Sequence, residues 1–207
     1  MFALKIKAFT LAEVLITLLI VGVIGSITIP ALINDLQDSN FKSVWKKEFA
    51  VLSQAFISYR SDNGGNLVGL CPASWDENCF PAQFKQYLSI AKECPGAQTR
   101  NNCWGSTRGT TLDTKVEIAA STPLEDMFTH YCPGYILSDG SFLIMETWSR
   151  TDPNHLARMF IDVNGVKSPN TWGKDLFAVV VTQNGIKPYG TSCSEQNGIG
   201  CSGEYLK

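Results

Sequence analysis

The longest run without a charge lies near the start of the chain. From Val14 to Ile33 there are twenty residues with no Asp, Glu, Lys or Arg. As a helix, at about 1.5 Å rise per residue, such a run spans about 30 Å, the thickness of a bilayer's hydrocarbon core. The pattern then changes. Phe41, Val44, Trp45, Glu48, Phe49, Leu52, Phe56 and Tyr59 recur at steps of three and four. Glu48 apart, they form the apolar stripe of an amphipathic helix, and Lys42, Lys46 and Lys47 form a solvated face. Asp62-Asn63-Gly64-Gly65 should stop this helix near Ser61. Pro30 removes one backbone donor inside the apolar run, and is expected to kink or locally open the helix there.

Residues 66–112 have poor periodicity, several prolines and four cysteines. They read as a disulfide-braced region with a short helix near Pro81–Ala91. Beyond them the pattern becomes β. Lys115–Ala119 is a candidate strand. Tyr135-Ile136-Leu137 and Ser141–Trp148 flank Ser138-Asp139-Gly140, a hairpin signal. Ala157–Val163 and Leu176–Thr182 are further strands, ended by Asn164-Gly165 and Asn184-Gly185. Short connections favour an antiparallel meander with one face on the helix. Gly190 to Lys207, rich in Gly, Ser and Asn, reads as a surface loop. The expected fold class is α+β: one long N-terminal helix packed on an antiparallel β-sheet and braced by disulfides.

Composition sharpens this picture in two places. The net charge is −2, which supplies no basic field for nucleic acid. All seven cysteines follow residue 70. With no CxxC and two histidines, His130 and His155, a zinc site is a poor explanation. Local spacing favours disulfides Cys71–Cys79, Cys94–Cys103 and Cys193–Cys201 and leaves Cys132 over, although spacing alone leaves other connectivities open. Disulfides place the domain in an oxidising compartment.

Lys5 and Lys7 precede the apolar run and no basic residue follows it closely, which predicts an N-in orientation with the bulk of the chain outside. A secretory signal has a short apolar region followed by a small-residue cleavage site. Here the order is reversed: the small residue, Ala8, comes first. An ordinary single-pass anchor explains the hydropathy equally well. Glu13 separates the two readings. An acidic residue costs roughly 2.5–3.5 kcal/mol at the centre of a membrane and less near the interface. Glu13 lies four residues after Phe9, the residue that cleavage after Ala8 would free as an N-terminal amine. Such an amine and the carboxylate of a neighbouring copy neutralise each other in a low dielectric.

The stretch Lys7-Ala8-Phe9-Thr10-Leu11-Ala12-Glu13-Val14-Leu15-Ile16 resembles the class III signal of type IV pilins and type II secretion pseudopilins. Ala8 stands where the family more often has Gly. The resemblance implies cleavage between Ala8 and Phe9 by a prepilin peptidase and N-methylation of Phe9. It implies an assembly role for Glu13, and Pro30 falls where many pilins carry a helix-bending proline. The implied organisation is a leader over residues 1–8, a transmembrane and assembly helix over 9–33, its amphipathic continuation over 34–61 and an extracytoplasmic domain over 62–207. The implied partners are the peptidase, other pilin or pseudopilin subunits and an inner-membrane assembly platform. The chain would be inserted in the inner membrane and then carried into a filament in the periplasm or at the cell surface.

The segment from Asp162 to Asp175 carries oxygen side chains on a Gly- and Pro-containing loop, as calcium sites require. It is similar to the loop before the final strand of many pseudopilins, some of which bind calcium. Asp162, Asn164 and Asp175 would be the ligands; the other reading is a β-turn connection with Asx turns. Calcium is the one cofactor to which the sequence points. Nothing positions a Cys-His or Ser-His-Asp site around Cys132, His130 or His155, and Glu125-Asp126 reads as a solvated pair. Trp75, Trp104, Trp148 and Trp172 are core residues or a binding surface. The expected function is that of a structural filament subunit, not an enzyme. The alternative is a minor tip pilin that binds DNA, a surface or secreted cargo.

Overall fold

A computed structural model describes residues 10–74, 76, 79–94, 103, 132–165, 167–194 and 198–207. Ala8, Phe9, Trp75, Trp104, Glu125, Asp126, His130 and the expected strand at Lys115–Ala119 lie outside the described residues. The chain divides into two compact units, residues 1–40 and 41–207.

The first unit is helical. Helix α1, Leu11–Asp62, begins in it and is assigned without interruption past Pro30, so the expected opening of the helix at the proline does not occur. This is the one described helix long and apolar enough to cross a membrane, and none of its most apolar stretch is buried. The hydroxyls within that stretch return to the helix backbone. Thr17 Oγ1 donates to the Val14 carbonyl, Ser26 Oγ to Val23 and Thr28 Oγ1 to Ile24, at 2.8–2.9 Å. A helix that satisfies its own polar groups is what a hydrocarbon environment demands.

In the second unit, the part of α1 from Phe41 onward packs on a six-stranded sheet. Trp45, Leu52, Ala55, Phe56 and Tyr59 are buried, the three- and four-residue recurrence of the stripe. The strands are β1 Ile90–Cys94, β2 Gly134–Leu137, β3 Phe142–Thr147, β4 Ala157–Asp162, β5 Leu176–Thr182 and β6 Gly185–Pro188. All neighbours are antiparallel and the order is sequential, β1 to β6. Leu143, Met145, Met159, Ile161, Phe177 and Val179 point to the helix. Phe142, Ile144, Phe160, Leu176 and Ala178 point to the other face, where they join Trp172, Ile199 and three cysteines. The sheet is therefore covered on both faces, not only on the helix side, and that is why its central strands read as unbroken apolar runs.

Two expectations are corrected and one strand is added. The helix near Pro81–Ala91 is α2, Cys79–Phe84, followed by a 3-10 turn over Lys85–Tyr87; the chain is already in β1 at Ile90. A sixth strand, β6, follows directly on β5, with Thr182 paired to Gly185 across a two-residue turn. The C-terminal segment is a surface loop only over residues 190–194, which are exposed or half-buried; residues 198–203 are buried. It ends in a short helix α3, Cys201–Glu204, whose Cys201 and Ser202 are fully buried. Ser202 Oγ accepts from the Ala178 N–H at 2.9 Å, and the Ser202 carbonyl accepts from Trp45 Nε1 at 3.0 Å. The disulfides are Cys71–Cys79, Cys94–Cys103 and Cys193–Cys201, and Cys132 is unbridged.

Candidate functional site

The first candidate is the start of α1. Thr10 is its N-cap and Glu13 its third residue. The Thr10 N–H and Oγ1 each donate to Glu13 Oε2 at 2.8 Å, and the Glu13 N–H donates back to Thr10 Oγ1 at 3.3 Å. This is a reciprocal capping box, which satisfies donors that a helix start otherwise leaves open. The carboxylate is nevertheless exposed, and the apolar side chains after it are largely exposed too, among them Leu15, Leu18, Leu19, Ile27 and Leu32. In water such a surface is costly at roughly 25 cal/mol per Å². It needs a cover, whether lipid or protein.

The second candidate is the β4–β5 loop, which brings Asn164 and Asp175 into contact. Asp175 is fully buried. Its Oδ2 accepts from Asn164 Nδ2 at 3.0 Å and the Asn170 N–H at 2.8 Å, and its Oδ1 accepts from the Thr171 N–H at 2.5 Å. Those bonds hold Asn170 in the left-handed region at φ 49°, where Asn is among the better-tolerated residues. Asp162 Oδ1 accepts from the Asn164 N–H at 3.2 Å, an Asx turn.

As arranged, these residues do not fit calcium. A hard cation needs six to eight oxygen ligands. The Asp175 carboxylate instead faces three N–H donors, which take most of its acceptor positions. The buried Asn164 Oδ1 has no hydrogen-bond partner, but one amide oxygen is no coordination shell. Among the described residues, no group of three His, Cys, Asp or Glu is arranged to hold a metal ion. Burial pushes Asp175 up from the usual carboxylate range and the N–H donors oppose it. The loop is a turn braced by its carboxylate.

Two polar clusters were not foreseen. On the sheet face away from α1, Glu146 and Arg158 are directly paired across β3 and β4 and form a buried ion pair. The guanidinium lies 3.4 Å from the centre of the Trp148 ring, His155 stacks on that ring with centroids 5.0 Å apart, and Cys132 Sγ is 3.7 Å from Glu146 Oε2. Burial, then the nearby Arg158, push His155 below its ordinary value. On the α1 side, Glu48 is buried beside Asp139 and Lys47. For Glu48 there was a signal, since it is the charged position in an otherwise apolar stripe.

Comparison with protein-family models, curated proteins and solved structures gives no match. Function therefore rests on the residues themselves.

Proposed function

We propose that the chain is a filament subunit of the type IV pilin and pseudopilin kind, which works by assembling with other subunits rather than by catalysis. The observation that carries this reading is the head of α1. An exposed carboxylate, Glu13, stands in the first turn of an exposed apolar helix whose hydroxyls are already satisfied internally. A prepilin peptidase removes residues 1–8, cutting after Ala8. The N-methylated amine of Phe9 is then close in sequence to Glu13. In the membrane the apolar surface is covered by lipid. In the filament it is covered by the helices of neighbouring copies, and Glu13 of an incoming subunit pairs with the amine of its neighbour, a contact that gains strength as water is excluded. The β-domain lies outside the cytoplasm, where its three disulfides persist.

The test is the N-terminal sequence and intact mass of the protein taken from membranes of a strain with its own peptidase. The expected chain begins at Phe9 and is one methyl heavier. A chain beginning at Met1, where the peptidase is shown to be active, would leave an ordinary membrane anchor and overturn the assignment.

A further inference from the structure

Glu48 is 2 % exposed, within the stripe of α1 that faces the sheet. The ammonium of Lys47 lies between its carboxyl, at 3.5 Å, and that of Asp139 on the turn joining β2 and β3, at 2.6 Å, so the two acids meet at one cation. Two carboxyl groups held against one ammonium, one of them buried, keep a proton between them more readily than either would alone. The donors around them decide where it resides. Asp139 has Lys47 Nζ at 2.6 Å, the Ser141 N–H at 3.1 Å and Ser141 Oγ at 2.8 Å. For Glu48 the ammonium of Lys47 is 3.5 Å away. Asp139 is the anion and Glu48 the acid.

The charged groups facing Glu48 are thus Lys47 from its own helix and Asp139 from the turn. The helix-facing side chains of β3–β5, including Leu143, Met145, Ile161 and Phe177, are apolar and offer no second cation. With Glu48 protonated, the three groups sum to zero. Without its proton, two carboxylates share one ammonium. Burial first, and Asp139 next, push Glu48 up to about 7. The hydrogen bond from Glu48, then those from Lys47 and Ser141, hold Asp139 well below the usual carboxylate range against the opposing effect of burial.

We propose that Glu48, Asp139 and Lys47 form a pH-sensitive latch between α1 and the β2–β3 turn, closed while Glu48 carries the shared proton and loosened when that proton passes to solvent. The turn is positioned to feel the change. A side chain at Gly165 would collide with the Gly140 carbonyl, so the β2–β3 turn rests directly on the β4–β5 loop. Loosening the turn loosens its seat on that loop and on the helix together. On the extracytoplasmic location proposed above, pH follows the surroundings, so the domain stiffens in mildly acidic media.

The sign follows from linkage. The folded state raises the proton affinity of Glu48, so its contribution is complete below about 4.5, the unfolded value, and is lost as pH rises through about 7. His155, pushed down by burial, has the opposite slope at lower pH. The two are separated by comparing the wild type with Glu48→Gln, whose amide still donates to Asp139 but does not titrate.

The experiment is chemical denaturation of the full chain in detergent micelles, from about pH 5 to about pH 9. The ratio of wild-type to Glu48→Gln folding constants should fall, approaching tenfold per pH unit below about 7 and levelling above about 8. Parallel curves would overturn the latch. Should Glu48→Gln fail to fold, a second readout decides: the protonated-carboxyl infrared band of the wild type, followed against pH. It should titrate near 7 and move to lower pH in Asp139→Asn, which replaces the carboxylate by a group that also donates. A band that Asp139→Asn leaves in place would equally overturn the proposal.

Discussion

Trp45 and Phe177 stack with ring centroids 4.7 Å apart and planes 10° from parallel. The same indole donates to the carbonyl of Ser202, 157 residues further along the chain. Helix α1, strand β5 and the C-terminal segment therefore meet at one fully buried side chain. Trp45→Ala should cost about 3–5 kcal/mol through the cavity it leaves. Trp45→Phe should retain much of the stacking and cost about 1–3 kcal/mol, because the Ser202 carbonyl loses its donor. Denaturant midpoints of the full chain in micelles measure both, and equal losses in the two variants would mean that stacking contributes little.

That junction also marks how far the sequence could be read. The helix side was legible, because Trp45, Leu52, Phe56 and Tyr59 repeat with helical period and each is buried. Strands β3, β4 and β5 were legible as apolar runs bounded by turn residues. Strand β1 was not: of Ile90-Ala91-Lys92-Glu93-Cys94 only Cys94 is buried, so burial left no alternation to detect. Strand β6 has four residues, ends in Pro188 and lies at the sheet edge, where a proline without an N–H is tolerated. The C-terminal segment misled because small polar residues usually mark exposed loops. Here smallness serves close approach. A Cβ on Gly173 would lie 2.5 Å from Cys201 Sγ, and Ser202 is buried because its hydroxyl serves the backbone of β5. The Glu146–Arg158 pair is a cross-strand contact, so it depends on the β3–β4 register, which composition does not contain.

The Glu146–Arg158 pair should behave as a buried ion pair does. Arg158→Met leaves the Glu146 carboxylate buried without its cation and should cost about 3–5 kcal/mol. Replacing both, as Glu146→Leu with Arg158→Met, should recover most of that loss, since the pair repays its own desolvation only partly. The same denaturation series tests it. A double variant no better than Arg158→Met would show that the guanidinium matters chiefly through its contact with Trp148.

Asp175 braces the β4–β5 loop through N–H donors, so a chelator should leave the melting temperature of the protein unchanged. Asp175→Ala removes the acceptor of the Asn170 and Thr171 N–H groups, while the Asn164 amide keeps the Ser168 carbonyl. At about 1–3 kcal/mol for each of these two buried groups, the loss should reach at least about 2 kcal/mol. Added calcium should not restore it. A melting temperature that falls with chelator in the wild type but not in Asp175→Ala would assign the loop to a cation instead.

Glu13 has two roles to separate. Within one chain it closes the capping box with Thr10; in the proposed filament its negative charge meets an amine. Glu13→Ala removes both, so failure of that variant to assemble would leave the cause open. Glu13→Gln is the discriminating change, because Gln also completes a capping box but carries no charge. It should insert in the membrane and be processed like the wild type, and its helix content should be unchanged. Recovery in sheared filaments should drop at least tenfold, which corresponds to about 1.4 kcal/mol per subunit contact. If Glu13→Gln assembles normally while Glu13→Ala does not, Glu13 acts by starting its own helix, and the pairing of carboxylate with amine has no part in recruitment.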